Sequence, residues 1–396
     1  MKTLSIADLV ADPDAALSRA REAGPIGETE MGPIAVGYDA VRAMLQDTRM
    51  RPSFPRILER MGVVSGPFYD WMSGSPLDME GDEHRRWRQL VLKTFTPRSV
   101  ERLRPFLRSA ADQLIDGFLA LGRVEFMEEF ARKLPSLGLC ELIGVPAQDR
   151  GRFSGWADTV GLGFNLVLVS ERIRDVDEAL VQLLDYAKEL VAKRSREPGD
   201  DLVSRLALAA TEQGVDPDVI HGTVAGLVFA GHETTKNQLG WLIAVLSEHP
   251  QEWERVAREQ ERVKDVIEEV LRFRSAATSI GRLALEDLEL FGTRVPKGHY
   301  VIGSLWAANR DPATFPNASS FDVDSNRNGA QIAFGAGAHH CLGAALARAE
   351  LQESLVALAT RLTCPKVEAG AAFLPPVGIN GPSVLPIAFE ARSPTR

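Results

Sequence analysis

The chain has 396 residues, 45% of them hydrophobic and 25% charged, with 54 acidic against 45 basic side chains for a net charge of −9. That balance gives no global basic field, which excludes a protein held on nucleic acid by phosphate contacts. The three cysteines, Cys140, Cys341 and Cys364, show no paired spacing and read as thiols in a reducing compartment, not as a disulfide framework.

The first residues, M-K-T-L-S-I-A-D-L-V-A-D-P-D, contain no long apolar run. They read as neither a signal peptide nor a membrane anchor, so a cytoplasmic location is expected. No repeat, low-complexity linker or second cofactor fingerprint follows, and residues 1–396 read as one domain. Strand-like pieces stand at Ile34 to Val36 and again within residues 282–303, and helical patterns fill most of the rest. In E-H-R-R-W-R, His84 and Arg88 are four apart and share a helix face.

Residues 216–248 form the most informative helix. Asp216 is the expected N-cap and Pro217 suits the first turn. About 32 residues at 1.5 Å each would span roughly 48 Å. The run is apolar on nearly every face until A-G-H-E-T-T, so it should pass through the middle of the domain. There Gly231 weakens the helix and a threonine hydroxyl competes for a backbone carbonyl, which would open a small groove for oxygen and water. Glu233 and Thr234 supply an acid beside a hydroxyl, the pair a proton relay needs. A second, amphipathic helix is expected from about Gln251 to Arg274, with Glu269 and Arg272 three apart on one face.

Residues 334–343 read F-G-A-G-A-H-H-C-L-G. Gly335 and Gly337 permit backbone angles that let the chain lie against something flat. Cys341 is expected at the first turn of the following alanine-rich helix, where the macrodipole favours a thiolate. A thiolate on a tight glycine loop is what an axial ligand to haem iron requires; the alternative is a structural cysteine beside a turn.

From about residue 30 to about residue 390, these segments in this order closely resemble the cytochrome P-450 superfamily, in its bacterial form. The loop matches F-x-x-G-x-x-x-C-x-G through Phe334, Gly337, Cys341 and Gly343. A-G-H-E-T-T matches the oxygen-activation motif, and Glu269-x-x-Arg272 matches the buried E-x-x-R pair. The resemblance implies a mainly α fold with a small β lobe: a triangular helical prism with haem b (iron protoporphyrin IX) between the long central helix and the cysteine-loop helix. Cys341 would be the axial ligand, framed by Phe334, Gly335 and Gly343. His84, Arg88, Arg282 and His339 would hold the haem propionates, while Thr234 would hydrogen-bond the bound oxygen and Glu233 would help deliver protons. The family's arginine that joins the Glu269–Arg272 pair falls on Asn326, with Arg327 beside it as the substitute, and Gln331 stands where many relatives carry a histidine.

Regions that contact substrate in such proteins are apolar here. Phe68, Phe164, Ala225, Phe229, Ala277, Ile280 and Ile379 are the pocket candidates, and they suggest an apolar small molecule. No flavin, nicotinamide or iron–sulfur motif is present, and no fused reductase. Electrons would come from a separate ferredoxin or flavodoxin with its reductase, docking on Arg85, Arg86, Lys93, Arg98 and Arg348 at the cysteine side. The expected function is a haem-thiolate monooxygenase that inserts one atom of O2, most simply as a hydroxylation. The alternatives are an oxidase making a ring coupling or desaturation, a peroxygenase, and a non-catalytic haem sensor or electron carrier.

Overall fold

Asp216 accepts from the Asp218 N–H at 2.9 Å, and Pro217 opens a helix that runs unbroken to Ser247. The structure, a computed structural model, describes residues 3–165, 168–325 and 330–393. Its helices in chain order are α1 (Ile6–Ala11), α2 (Pro13–Ala23), α3 (Tyr38–Gln46), α4 (Phe54–Arg60), α5 (Pro67–Ser73), α6 (Gly81–Thr94), α7 (Pro97–Phe118), α8 (Lys133–Ile143), α9 (Arg150–Gly161), α10 (Val169–Arg196), α11 (Leu202–Gln213), α12 (Pro217–Ser247), α13 (Pro250–Arg258), α14 (Val263–Phe273), α15 (Leu305–Ala308) and α16 (Ala344–Arg361). The strands are β1 (Ile26–Thr29), β2 (Gly32–Ala35), β3 (Met50–Arg51), β4 (Arg123–Glu125), β5 (Ser279–Ala284), β6 (Leu288–Leu290), β7 (Thr293–Val295), β8 (Tyr300–Ser304), β9 (Lys366–Val367), β10 (Ala372–Phe373), β11 (Pro382–Val384) and β12 (Pro386–Ala388).

Helix α12 is buried on most of its faces, as its all-round apolar character requires. One helical core packs its first half, with Val224, Ala225 and Val228 against α5, α6, α9 and α10. A second packs its last half, with Leu239, Leu242 and Leu246 against α7, α14 and α16. The helix continues through Ala230–Thr235, and Gly231 serves close approach instead of a break. A Cβ there would stand 2.8 Å from Leu139 Cδ2 of α8.

The β lobe is a five-stranded sheet in the order β1-β2-β8-β5-β3. Only β2 and β8 run parallel, with Ile34 opposite Ile302, and Gly281 of β5 lies opposite Ile302 on the other side. The expected strand-like regions become β2, β5 and β8. No helix among the described residues is long and apolar enough to cross a membrane.

The helix expected from Gln251 to Arg274 is two helices. Glu259 leaves the helical region at φ −126° and ψ 78°, and the Gln260–Arg262 turn separates α13 from α14. The R-E-Q-E-R stretch offers no apolar side chain to bury. The break lets Trp253 and Val256 on one side, and Val263, Val266 and Ile267 on the other, reach the same core.

Glu269 and Arg272 form the buried pair the spacing implied, bonded twice at 2.7 Å. Arg272 also donates to the carbonyls of Asn309 at 2.8 Å, Ala318 at 2.9 Å and Ser320 at 2.6 Å, while Glu269 accepts from the Asp322 N–H at 2.8 Å. The pair therefore pins residues 309–322 to α14. Asn326 and Arg327 lie outside the described residues. Because Arg272 is only 2% exposed, Arg272→Ala should leave Glu269 charged and buried and cost about 3–5 kcal/mol. Urea unfolding should show this loss, and an unchanged midpoint would refute the pinning role.

Candidate functional site

The loop before α16 is built around its glycines. Gly335 and Gly337 take φ 71° and 74°, and a Cβ on Gly337 would stand 2.5 Å from the Leu45 carbonyl oxygen. Residues with side chains resist this conformation, and the close approach to α3 forbids them. The Cys341 N–H closes the loop on the Phe334 carbonyl at 3.0 Å. Arg348 lies over the Phe334 ring, 4.5 Å from its centroid.

Helix α16 begins at Ala344 with Gly343 as its N-cap, so Cys341 stands before the helix, not in its first turn. Its sulfur accepts from the N–H groups of Gly343 and Ala344. It is open toward the slot it faces but enclosed by protein elsewhere. Burial pushes the thiol up, against the two N–H groups and the charges of Arg88 and Arg348. The thiolate is thus provided for by donors and cations yet needs a further positive partner to win. Cys140 and Cys364 are pushed up to about 11 by burial, without comparable donors, and are inert thiols at neutral pH.

Around this cysteine the fold gathers His84, Arg88, Arg282 and His339. Arg88 reaches from α6 to the His340 carbonyl at 2.6 Å. Arg282 on β5 is 4% exposed. Its guanidinium donates to the Gly281 carbonyl at 2.9 Å, and no carboxylate among the described residues pairs with it. The rings of His84 and His339 stack at 3.9 Å. Both are pushed down to about 4, by burial first and then by neighbouring positive charge, so at neutral pH they are uncharged hydrogen-bonding groups. Glu80, at 3.2 Å from His339 Nε2, is a neighbour that sequence reasoning missed. A flat dianion fits this arrangement: a buried and a half-buried guanidinium bonded only to backbone carbonyls, neutral imidazoles and a glycine-bounded cysteine.

Thr234 Oγ1 donates to the Ala230 carbonyl at 2.7 Å, taking a backbone acceptor as expected. Glu233 is not its hydrogen-bond partner. The carboxylate takes Lys236 Nζ at 2.5 Å and Asn237 Nδ2 at 2.8 Å, on the side of α12 that faces α9. There it joins Asp158, which accepts from His232 Nε2 at 2.7 Å and Arg132 Nε at 2.5 Å. Burial would raise the Asp158 carboxyl, but His232, Lys236 and Arg132 hold it well below the usual carboxylate range. Arg132, Asp158, Glu233, Lys236 and Asn237 line a cavity of about 380 Å³ outside α12. The signal for this network was in the sequence, because His232 and Lys236 are four apart and share one face.

A second, more apolar cavity of about 320 Å³ is lined in part by Arg282 and His339. Phe164, Ala277, Ile280 and Ile379 line it as expected. Phe68 and Ala225 are fully buried in the helical core. Phe229 is nearly so, stacked on Phe164 at 3.7 Å. Gln331 donates to Glu268 at 2.9 Å and is committed away from the slot. Two of the expected docking cations are neutralised, Arg348 by Glu268 at 2.6 Å and Arg85 by Asp82. Arg86, Lys93 and Arg98 pair with no carboxylate among the described residues.

A long buried helix, a glycine-framed cysteine and guanidinium groups that no carboxylate among the described residues pairs with are together features of a haem-thiolate enzyme. The chain belongs to the cytochrome P450 family, whose model matches residues 162–363. It is 34% identical to "Luteothin monooxygenase" of Streptomyces thioluteus, over 95% of this chain and 92% of that one. It is 36% identical to "Mycinamicin IV hydroxylase/epoxidase" of Micromonospora griseorubida, over 85% and 83%. Among solved structures, P450BioI in complex with a hexadec-9Z-enoic acid-ligated acyl carrier protein superposes with a TM-score of 0.88 at 27% identity, covering 97% of this chain and 100% of that one. The chain is therefore an oxidoreductase of the P450 monooxygenase type, and the family implies a haem with a cysteine thiolate ligand.

An unfolded imidazole titrates near 6.5, whereas folded His84 is pushed down to about 4. Between those values the unfolded chain holds a proton that the folded one lacks, so apoprotein stability should fall as the pH drops through this window. His84→Phe should flatten that part of the urea-unfolding profile; an unchanged slope would count against a buried neutral His84.

Proposed function

We propose that the chain is a haem b monooxygenase with Cys341 as axial thiolate, inserting one atom of O2 into a neutral apolar small molecule, most simply as a hydroxylation. The observation that carries this is the unbalanced positive charge of Arg88 and Arg282 around the Cys341 cradle. Propionate carboxylates would satisfy it, with His84 and His339 as neutral donors. Bound there, haem iron supplies reductive cleavage of O2 and transfer of one oxygen atom.

The chain's residues then have separable tasks. The Gly343 and Ala344 N–H groups temper the charge on the Cys341 sulfur. Thr234 holds a proton at Oγ1 beside the slot and can turn it from the Ala230 carbonyl toward a reacting oxygen. Glu233, held by Lys236 and Asn237, exchanges protons with water in the outer cavity. A swing of its side chain or an intervening water must complete the relay, since hydroxyl and carboxylate are each bonded elsewhere. Ala277, Ile280 and Ile379 present an apolar wall to substrate. The name of the Micromonospora relative, a hydroxylase/epoxidase, supports oxygen insertion. A ferredoxin or flavodoxin with its reductase supplies the electrons, steered by Arg86, Lys93 and Arg98, because α6 carries Arg86 and Lys93 and also reaches the cysteine loop through Arg88, while Arg98 stands in the first turn of α7.

The ferrous–CO form should show the absorption band of thiolate ligation. Cys341→Ala should abolish it, while Cys140→Ala and Cys364→Ala keep it; retention in Cys341→Ala would refute the assignment. Thr234→Ala should bind substrate normally but divert electrons to peroxide, with product formation lowered by up to about 10²–10⁴-fold. Unchanged coupling would remove Thr234 from the relay. Charge reversal at Arg86 or Lys93 should slow haem reduction by an acidic ferredoxin and weaken its salt dependence, leaving substrate-induced spectral shifts intact. Equal reduction rates in wild type and variants would place the docking face elsewhere.

A further inference from the structure

The apolar cavity does not end at the haem slot. Starting from Arg282 and His339, it crosses one face of the sheet from β5 over β8 and β2 to β1. Tyr300, Ile302 and Ser304 of β8 alternate onto the same face and all line it. Three strand spacings make this path about 14 Å long. Gly281 keeps the floor open at its slot end, since a Cβ there would collide with the Tyr300 hydroxyl.

The roof comes from the N-terminus. Leu9 of α1 and Leu17 of α2 line the cavity where they leave the small core they share with Ile34 and Trp306, and Met31 of the β1–β2 turn stands at its outer end. This roof is fixed. Asp14 pairs with Arg310 at 2.8 Å and accepts from Trp306 Nε1 at 2.7 Å, and the Leu4 N–H bonds the Glu28 carbonyl at 2.8 Å. An apolar cavity walled by these anchored elements, and lined also by Ala277, Ile280 and Ile379, can take a ligand segment that extends away from the oxidised carbon.

We propose that the groove between the N-terminal helical pair and the sheet is a tail subsite. The substrate is then an elongated, neutral molecule, with its reacting carbon at the haem and an apolar tail running under Leu9 toward Met31. This rests on the monooxygenase reading of the slot and specifies its substrate class.

The test is a spectral titration of the haem-loaded protein with imidazole and with 1-alkylimidazoles from butyl to dodecyl. The azole reports the haem and the alkyl group probes the groove. Affinity should rise with chain length by up to about fourfold per buried methylene. Leu9→Asp and Met31→Asp should lower dodecyl affinity by about tenfold or more and change butyl affinity by less than about twofold. A length dependence equal to wild type in both variants would overturn the subsite, as would equal losses for butyl and dodecyl, or no gain with length in the wild type. Met31→Asp, at the half-buried rim, decides the matter if Leu9→Asp does not fold. Failure of plain imidazole to shift the haem spectrum would instead sink the reading of the slot itself.

Discussion

Arg88 and Arg282 place two positive charges beside the Cys341 loop, and no carboxylate among the described residues neutralises them. The buried Arg282 has only a backbone carbonyl to offset its charge, which is costly, so the apoprotein carries an electrostatic strain at this point of the fold. The neighbouring groups respond to the same field. His84 and His339 stay neutral down to well below the usual imidazole range, and the Cys341 thiol is held up by burial although Arg88 and Arg348 draw it down. One flat ligand with two carboxylates and a central cation answers all of these together. The contrast with Arg272 is instructive. That guanidinium is more deeply buried, but Glu269 and three backbone carbonyls satisfy it within the protein, and it serves architecture alone.

Helix α12 divides two electrostatic worlds. Its outer side carries Glu233, His232 and Lys236 into a charged network with Asp158 and Arg132, which the neighbouring Thr234, bonded to the Ala230 carbonyl, does not join. Adjacent residues on a helix point about 100° apart, so an acid–hydroxyl dipeptide naturally serves both sides. The arrangement keeps a carboxylate out of an apolar cavity, where its own desolvation would raise its pKa and repel substrate. It also places that carboxylate against water, which is where protons must come from.

What the sequence made legible was local. The cysteine loop, the A-G-H-E-T-T turn and the Glu269–Arg272 pair depend on spacings of three to ten residues, and short-range geometry determines what such spacings can do. The span of α12 was readable to within a residue at each end because Asp216, Pro217 and Pro250 mark it. Less legible was whatever depended on partners far along the chain. The neutralisation of Arg348 by Glu268, the commitment of Gln331 to the same carboxylate and the outward turn of Glu233 are tertiary facts. The break at Glu259 was hidden for another reason: no glycine or proline marks it, and only the direction of the core on either side requires it.

The pocket candidates show the same limit in sharper form. Apolar character alone could not separate Phe68 and Ala225, which belong to the core, from Ile280 and Ile379, which face open space. Both sets are apolar for the same reason, exclusion of water, and only the backbone decides whether protein or ligand fills the volume in front. The reverse error is equally natural. Leu9 and Leu17 look like ordinary residues of two short amphipathic helices, yet they border a cavity as well as the small core they share with Ile34, Val36 and Trp306. The helix pair is held over the sheet both by the polar anchors of Asp14 and by packing of Ala16 and Leu17 on Ile34 and Trp306, and the cavity lies beside that packing. Substrate selection in this fold is thus set as much by what anchors the walls as by what lines them.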